Sequence, residues 1–354
     1  EGEGEAQNDC PLDVFLDVSK APGPGAEYAK PFLEVSCTDT HIVVETNGLP
    51  HYSYVPMTPN ALVEANHTYQ IPRYPKVADS TTDIPFLGFV AVVINGTSIF
   101  GPNEGAVPDN YGDPVYNGIM DECGGHTAFE YHHHNLVQKC LVESGLVAEP
   151  WLNEDVPTDI PSPILGFAAD GFPIYGRYGC LDAACEEVVE FKSSYKMIGD
   201  PSTLAWDHYE YESRDAPEYL DECNGRTGPD GSYRYHETAD FPYVLGCYRG
   251  TPEGITGGGG QRGGGQRGGG QQGGGQQGGG QEGGPQSCAQ ESDCDDACPQ
   301  AAKGCTCHDS PMRGLICVPT CEEDEDCPQG MKGPMTCEQG AGICVPEGGP
   351  GGSP

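Results

Sequence analysis

A cysteine- and histidine-rich block occurs twice in this chain, and any fold must accommodate both copies. The first reads DECGGHTAFEYHHHNLVQKC (121–140) and the second DECNGRTGPDGSYRYHETADFPYVLGC (221–247). Both open Asp-Glu-Cys-x-Gly-(His/Arg)-Thr, pass through a Tyr/His-rich tetrad and close on a cysteine. Tyr131-His132-His133-His134 answers to Tyr233-Arg234-Tyr235-His236. Upstream, LGFVAVVINGTSIFG (87–101) precedes one block and LGFAADGFPIYG (165–176) the other. A strand-turn-strand pattern followed by a Cys/His block, twice in the same order, is an internal duplication rather than composition bias.

The Tyr/His tetrads, the run Asp170-Gly171-Phe172-Pro173-Ile174-Tyr175-Gly176 and FPYVLGCYRG (241–250) resemble the YHYH-domain family, over roughly residues 80–250. The resemblance implies a secreted or cell-surface domain, and a fold more than a reaction. Both copies depart from the Tyr-His-Tyr-His signature. His133 stands for the second Tyr in the first, and Arg234 for the first His in the second.

Eighteen cysteines in 354 residues, set among 53 Gly and 32 Pro, indicate a disulfide framework made in an oxidising compartment. Eight fall in the first part of the chain: Cys10, Cys37, Cys123, Cys140, Cys180, Cys185, Cys223 and Cys247. Neighbour pairing is attractive there, but sequence does not choose among the many pairings eight cysteines allow. Ten more form a C-terminal set: Cys288, Cys294, Cys298, Cys305, Cys307, Cys317, Cys321, Cys327, Cys337 and Cys344. That set divides into two units, each opening Cys-x5-Cys and ending Ile-Cys-Val-Pro, and so small a core needs such staples.

No apolar run approaches the roughly 20 residues of a membrane span. The chain opens at Glu1 in an acidic, mature-looking segment, which predicts that a leader has been removed and that the protein is extracellular. The sequons Asn66-His67-Thr68 and Asn95-Gly96-Thr97 predict N-linked glycans. A net charge of −37 excludes nucleic acid and anionic membrane as partners, and favours divalent cations or cationic partners.

The expected class is mostly β: a duplicated β domain stapled by disulfides, a Gly/Gln tract and a small disulfide-rich module. The boundaries read as an acidic tail (1–9), the duplicated domain (10–252), the Gly/Gln-rich tract (253–286), the Cys-rich module (287–347) and a short tail (348–354). Residues 10–80 read as a β meander broken by Pro and Gly. Asn95-Gly96 predicts a type I′ hairpin turn with its glycan on an exposed tip, and Asp170-Gly171 a second hairpin. Pro173, lacking an amide donor, belongs at an edge or a strand start. The Pro-rich connection 149–163 wraps the surface with Trp151 as its anchor. The tract repeats Gly-Gly-Gly-Gln-x without apolar side chains. It is either a flexible linker spanning on the order of 30 Å or an extended strand through which copies of the chain associate.

If 131–134 is a strand, His132 and His134 share one face and Tyr131 and His133 the other. Two imidazoles so spaced reach one ion, with His126 as a third ligand. His236, on the matching face of the second tetrad, is counted with them. Three histidines with an open position suit Zn²⁺ or Cu²⁺. Asp121, Asp170 and Asp221 are candidate oxygen ligands for Ca²⁺, although their spacing fits no calcium loop. The competing reading is a polar network in which Tyr and His only bond one another. There is no Gly-x-Ser-x-Gly elbow and no P-loop, so no catalytic residue is named and the chain leans away from an enzyme. The sequence therefore predicts an extracellular structural glycoprotein, a matrix, sheath or filament subunit whose domain binds a metal. A metal-dependent enzyme built on the His cluster is the rival, and a carbohydrate- or surface-binding module the third reading.

Overall fold

The structure, a computed structural model, describes residues 10–105, 111–128, 130–142, 147–152 and 156–253, together with 305–310, 314–321, 335–338 and 343–346. The chain divides into two compact units, Glu1–Gly265 and Gln266–Pro354. The fold is mostly β.

In the first unit β1 (Leu33–Cys37), β2 (His41–Thr46) and β3 (His67–Pro72) form an antiparallel meander. Ile42, Val44 and Thr46 alternate inward along β2, the two-residue period of a half-buried strand. A short β4 (Thr82–Asp83) precedes the first repeat. That repeat supplies β5 (Phe89–Val93), β6 (Ser98–Phe100), β7 (Gly125–Thr127), β8 (Tyr131–His133) and the short helix α1 (Gln138–Val142).

The second repeat begins with β9 (Ile164–Ala168) and β10 (Pro173–Tyr175), so Pro173 does open its strand. Two hairpins intervene, β11 (Tyr178–Cys180) with β12 (Val188–Glu190), and β13 (Tyr195–Met197) with β14 (Tyr209–Tyr211). The repeat closes with β15 (Gly225–Thr227) and β16 (Tyr233–His236), and β17 (Cys247–Tyr248) returns to pair with β4.

Eight of these strands make one sheet in the order β15-β16-β10-β9-β5-β6-β8-β7. Read outward from the central β9–β5 pair, its halves match strand for strand. β6–β8 and β10–β16 are both parallel, and β7–β8 and β15–β16 both antiparallel. The duplication thus becomes two equivalent half-sheets joined by their first strands. Val90, Val92, Leu165 and Phe167 lie at this centre, fully buried.

The hairpin turns also match, and both differ from the type I′ expectation. The Gly96 amide donates to the Val93 carbonyl and the Val93 amide to the Thr97 carbonyl. Gly171 to Ala168 and Ala168 to Phe172 repeat the pattern. Only the glycines, at φ +88° and +93°, take the left-handed conformation. Each is therefore a tight turn followed by a glycine bulge, which needs one positive φ rather than two.

Four disulfides join sequence neighbours: Cys10–Cys37, Cys123–Cys140, Cys180–Cys185 and Cys223–Cys247. The second and fourth clasp the start and end of each duplicated block. Trp151 packs edge-on against Tyr52, with centroids 6.4 Å apart.

In the second unit β18 (Cys305–Ser310) pairs with β19 (Gly314–Pro319), and β20 (Met335–Glu338) with β21 (Ile343–Pro346). The two Ile-Cys-Val-Pro endings lie in β19 and β21. Cys321 is disulfide-bonded. The Gly/Gln tract, and the side chains of the other cysteines of this set, lie outside the described residues. No helix among the described residues is long and apolar enough to cross a membrane.

The β5–β9 seam depends on Gly166, where an added Cβ would sit 2.6 Å from the Val92 carbonyl oxygen. Backbone on both sides cannot yield as a side chain would. Gly166→Ala should therefore destabilise the domain by about 1–3 kcal/mol, lowering the urea midpoint at unchanged slope. An unchanged midpoint would show that the seam tolerates separation.

Candidate functional site

The conserved wording of the two blocks has a mechanical meaning. Asp121 Oδ1 accepts the amides of Cys123 and Gly125, at 2.9 and 3.0 Å, and its Oδ2 accepts the Tyr131 hydroxyl at 2.7 Å. Asp221 does the same with Cys223, Gly225 and Tyr233. A Cβ at Gly125 or Gly225 would overlap those tyrosine hydroxyls, which explains the glycine at that position. Gly124 and Asn224 turn the chain at positive φ. Burial raises both aspartates above the usual carboxylate range, against these hydrogen bonds. The aspartates proposed as calcium ligands are therefore spent inside the protein. Asp170 is too, its Oδ2 accepting the Tyr235 hydroxyl at 2.6 Å and the Gly250 amide at 2.8 Å.

This frame pins β7 against β8 with His126 directly opposite His132. Alternation along the tetrad sends Tyr131 toward Tyr52, with hydroxyls 3.0 Å apart, while His132 and His134 turn to the other face. The Nε2 atoms of His126, His132 and His134 lie 3.1, 3.2 and 3.1 Å from one another. Glu104 Oε2 completes the group, 2.6 Å from His126, 3.6 Å from His132 and 3.3 Å from His134. The imidazoles are 0–1% exposed and the glutamate 12%. Phe100 stacks on the His132 ring at 4.0 Å, and the Glu104 Oε1 accepts the Gly105 amide. The cluster can hold a metal ion.

Backbone carbonyls fix two of the rings from behind. His132 Nδ1 lies 3.0 Å from the Glu130 carbonyl and His134 Nδ1 2.6 Å from the Gly101 carbonyl. Carbonyls only accept, so both rings carry a proton on Nδ1 and turn Nε2 toward each other and toward Glu104. Protonating them is disfavoured at His126, pushed down to about 4 by burial, and at His132, also pushed down by burial. Burial would raise Glu104, but hydrogen bonds from the three histidines outweigh it and hold the carboxyl well below its ordinary range. His126 can give one proton to Glu104.

The other expected site residues are placed differently. His236 is not in this cluster: its Nδ1 donates to the Gly176 carbonyl at 2.8 Å and its ring lies 4.4 Å from Phe191. It belongs to the other half-sheet, and sequence equivalence is not proximity. Glu104 was missed because it sits in a Pro/Gly loop, one of 54 acidic residues, with no spacing to mark it. Asn66 is exposed beside β3. Asn95 is not on an exposed tip. It is 1% exposed, its Oδ1 accepts the Thr97 amide and hydroxyl, and its Nδ2 lies 3.1 Å from His51 Nδ1. The atom a glycan would join is thus buried and bonded in the fold. A second group, Glu222 with Cys223 and Cys247, offers no thiolates because its cysteines share a disulfide.

Among known proteins, the family model described as YHYH protein matches residues 68–250, just over half of the chain. Comparison with curated proteins and with solved structures finds no match.

Buried neutral histidines outside the cluster make the fold acid-sensitive. Burial pushes His51 down to about 4 and His236 to about 3. Both lie below the ordinary imidazole value near 6.5, so the unfolded chain takes up these protons first. Their contribution is complete above about pH 6.5 and is lost as pH falls toward the folded values. The raised aspartates act in the opposite sense, since their protonated forms favour the fold as pH falls through their folded values. Thermal melts should show Tm falling between about pH 6.5 and 5. A flat Tm across that window would contradict the neutral, buried assignment.

Proposed function

The chain belongs to the YHYH protein family, and we propose that its first repeat is a closed metal centre stabilising a secreted structural subunit. The observation that carries this is the convergence of the buried His126, His132 and His134 Nε2 atoms, 3.1–3.2 Å apart, on the Glu104 carboxylate. Such a group offers four ligand atoms to one cation.

The six ligand–ligand distances favour zinc. A tetrahedron with bonds of about 2.0–2.1 Å has edges of about 3.3 Å. The observed edges run from 2.6 to 3.6 Å. A square arrangement suited to Cu²⁺ would require two diagonals of about 4 Å, longer than any of them. Four protein ligands, nearly all buried, describe a structural site, whereas catalytic zinc keeps a position for water. The enzymatic reading would need Glu104, the one partly exposed ligand, to leave the ion.

The disulfides and the exposed sequon at Asn66 support an extracellular setting, with a glycan at Asn66 rather than Asn95. Self-association through residues 257–284 is the matching proposal for assembly, since glycine allows close approach and glutamine amides bond between chains.

Purified protein should contain one zinc per chain by elemental analysis. His132→Ala should lose it, while His41→Ala, at the surface beside Glu253, should keep it. Chelation should lower Tm by roughly 10 °C. Stoichiometric zinc in His132→Ala would refute the centre. Deleting 257–284 should abolish higher assemblies while leaving the domain folded, and assembly by the truncated chain would remove the tract from that role.

A further inference from the structure

The second half-sheet carries a counterpart of the metal cage in which the chemistry is inverted. Register and hydrogen bonds fix the correspondence. Arg226 pairs across β15–β16 with Arg234 as His126 pairs with His132. His236 Nδ1 donates to the Gly176 carbonyl as His134 Nδ1 donates to that of Gly101. Three residues beyond those glycines stand Gly179 in one copy and Glu104 in the other. Two imidazoles have become guanidiniums, and the carboxylate has been deleted.

A cavity of about 90 Å³ occupies this place, lined by Arg226, Arg234, His236, Tyr175, Tyr178 and Ser162. A Cβ on Gly179 would meet the Phe191 ring at 2.9 Å and lie 3.7 Å from the His236 ring, so no side chain can reach into the pocket from that position without displacing Phe191. Only one of the two charges is paired with a carboxylate. Arg234 is ion-paired with Asp230, donates to Ser232 and lies over the Tyr175 ring, whereas Arg226 donates to the carbonyls of Cys180 and Leu181 and lies over the Phe191 ring. Among the described residues no carboxylate pairs with Arg226. Like charges in direct cross-strand register repel. Two buried polar atoms of the lining have no protein partner, Arg234 Nε and His236 Nε2. The first is an N–H donor. The second is a bare lone pair, because the ring proton is spent on Gly176.

We propose that this pocket binds a small oxyanion that still carries a proton, of which inorganic hydrogen phosphate is the type. Its charged oxygens accept from the two guanidiniums, and its remaining O–H donates to His236 Nε2. That last bond sets the selectivity. Sulfate has the same shape but no proton at neutral pH, and would meet the imidazole lone pair with an oxygen lone pair, an unpaired buried contact. The site is independent of the metal centre, since none of its ligands belongs to that cluster.

Isothermal titration of the full zinc-loaded chain at neutral pH with sodium phosphate should give saturable one-to-one binding, with sulfate at least about tenfold weaker. The same order should appear as phosphate-specific elevation of Tm, which needs no variant. Arg226→Gln and Arg234→Gln should each weaken phosphate about ten- to hundredfold, with zinc content unchanged. Absence of saturable binding up to about 10 mM phosphate would overturn the site. Equal binding of sulfate would overturn the protonated-anion assignment. Undiminished affinity in both folded arginine variants would overturn the location.

Discussion

Everything in the larger unit depends on the antiparallel seam between β5 and β9. It joins the first strands of two half-sheets, with Ala91 opposite Ala168 and Val93 opposite Gly166. Because side chains alternate, a one-residue slip here would turn each strand's apolar set away from the core. The fully buried Val90, Val92 and Phe167 make that slip costly. Gly166 lets the two backbones close to ladder distance. The tetrad strands β8 and β16 lie two places outward on each side, so a register fixed at the centre fixes what each tetrad presents.

Around that seam each repeat builds the same frame. A buried aspartate takes two turn amides and a tyrosine hydroxyl, a disulfide closes the block, and a glycine carbonyl holds the tetrad's last histidine. None of these contacts involves His126, His132 or Glu104, nor Arg226, Arg234 or Gly179. The frame therefore leaves three positions free to differ without loss of the fold. In one repeat they gather imidazole nitrogens and a carboxylate, a set that can hold a metal ion. In the other they gather the guanidiniums of Arg226 and Arg234. One duplicated scaffold thus supports opposite electrostatic demands within a single sheet.

The disulfides of the first unit act locally. Cys123–Cys140 and Cys223–Cys247 each clasp a single block, so each repeat is tied to itself and the two are joined by the sheet. Cross-linking of this kind narrows the unfolded ensemble of loop-rich chain.

By itself the sequence determined the duplication, the mostly-β class, the strand-turn-strand units and the face shared by His132 and His134. These are local or periodic properties: a dipeptide turn, a two-residue alternation and a repeated spelling. Tertiary structure decided the rest. Glu104 joins the histidines because β6 and β8 run parallel side by side, a pairing no spacing between 104 and 126 encodes. His236 separates from them because equivalent positions in a duplication lie in different halves of the sheet. Asn95 is buried because its turn packs beneath His51, although its dipeptide alone describes an exposed tip. Which strand neighbours which is a through-space fact, settled by burial of the β5–β9 core, and the chemistry of both sites follows from it.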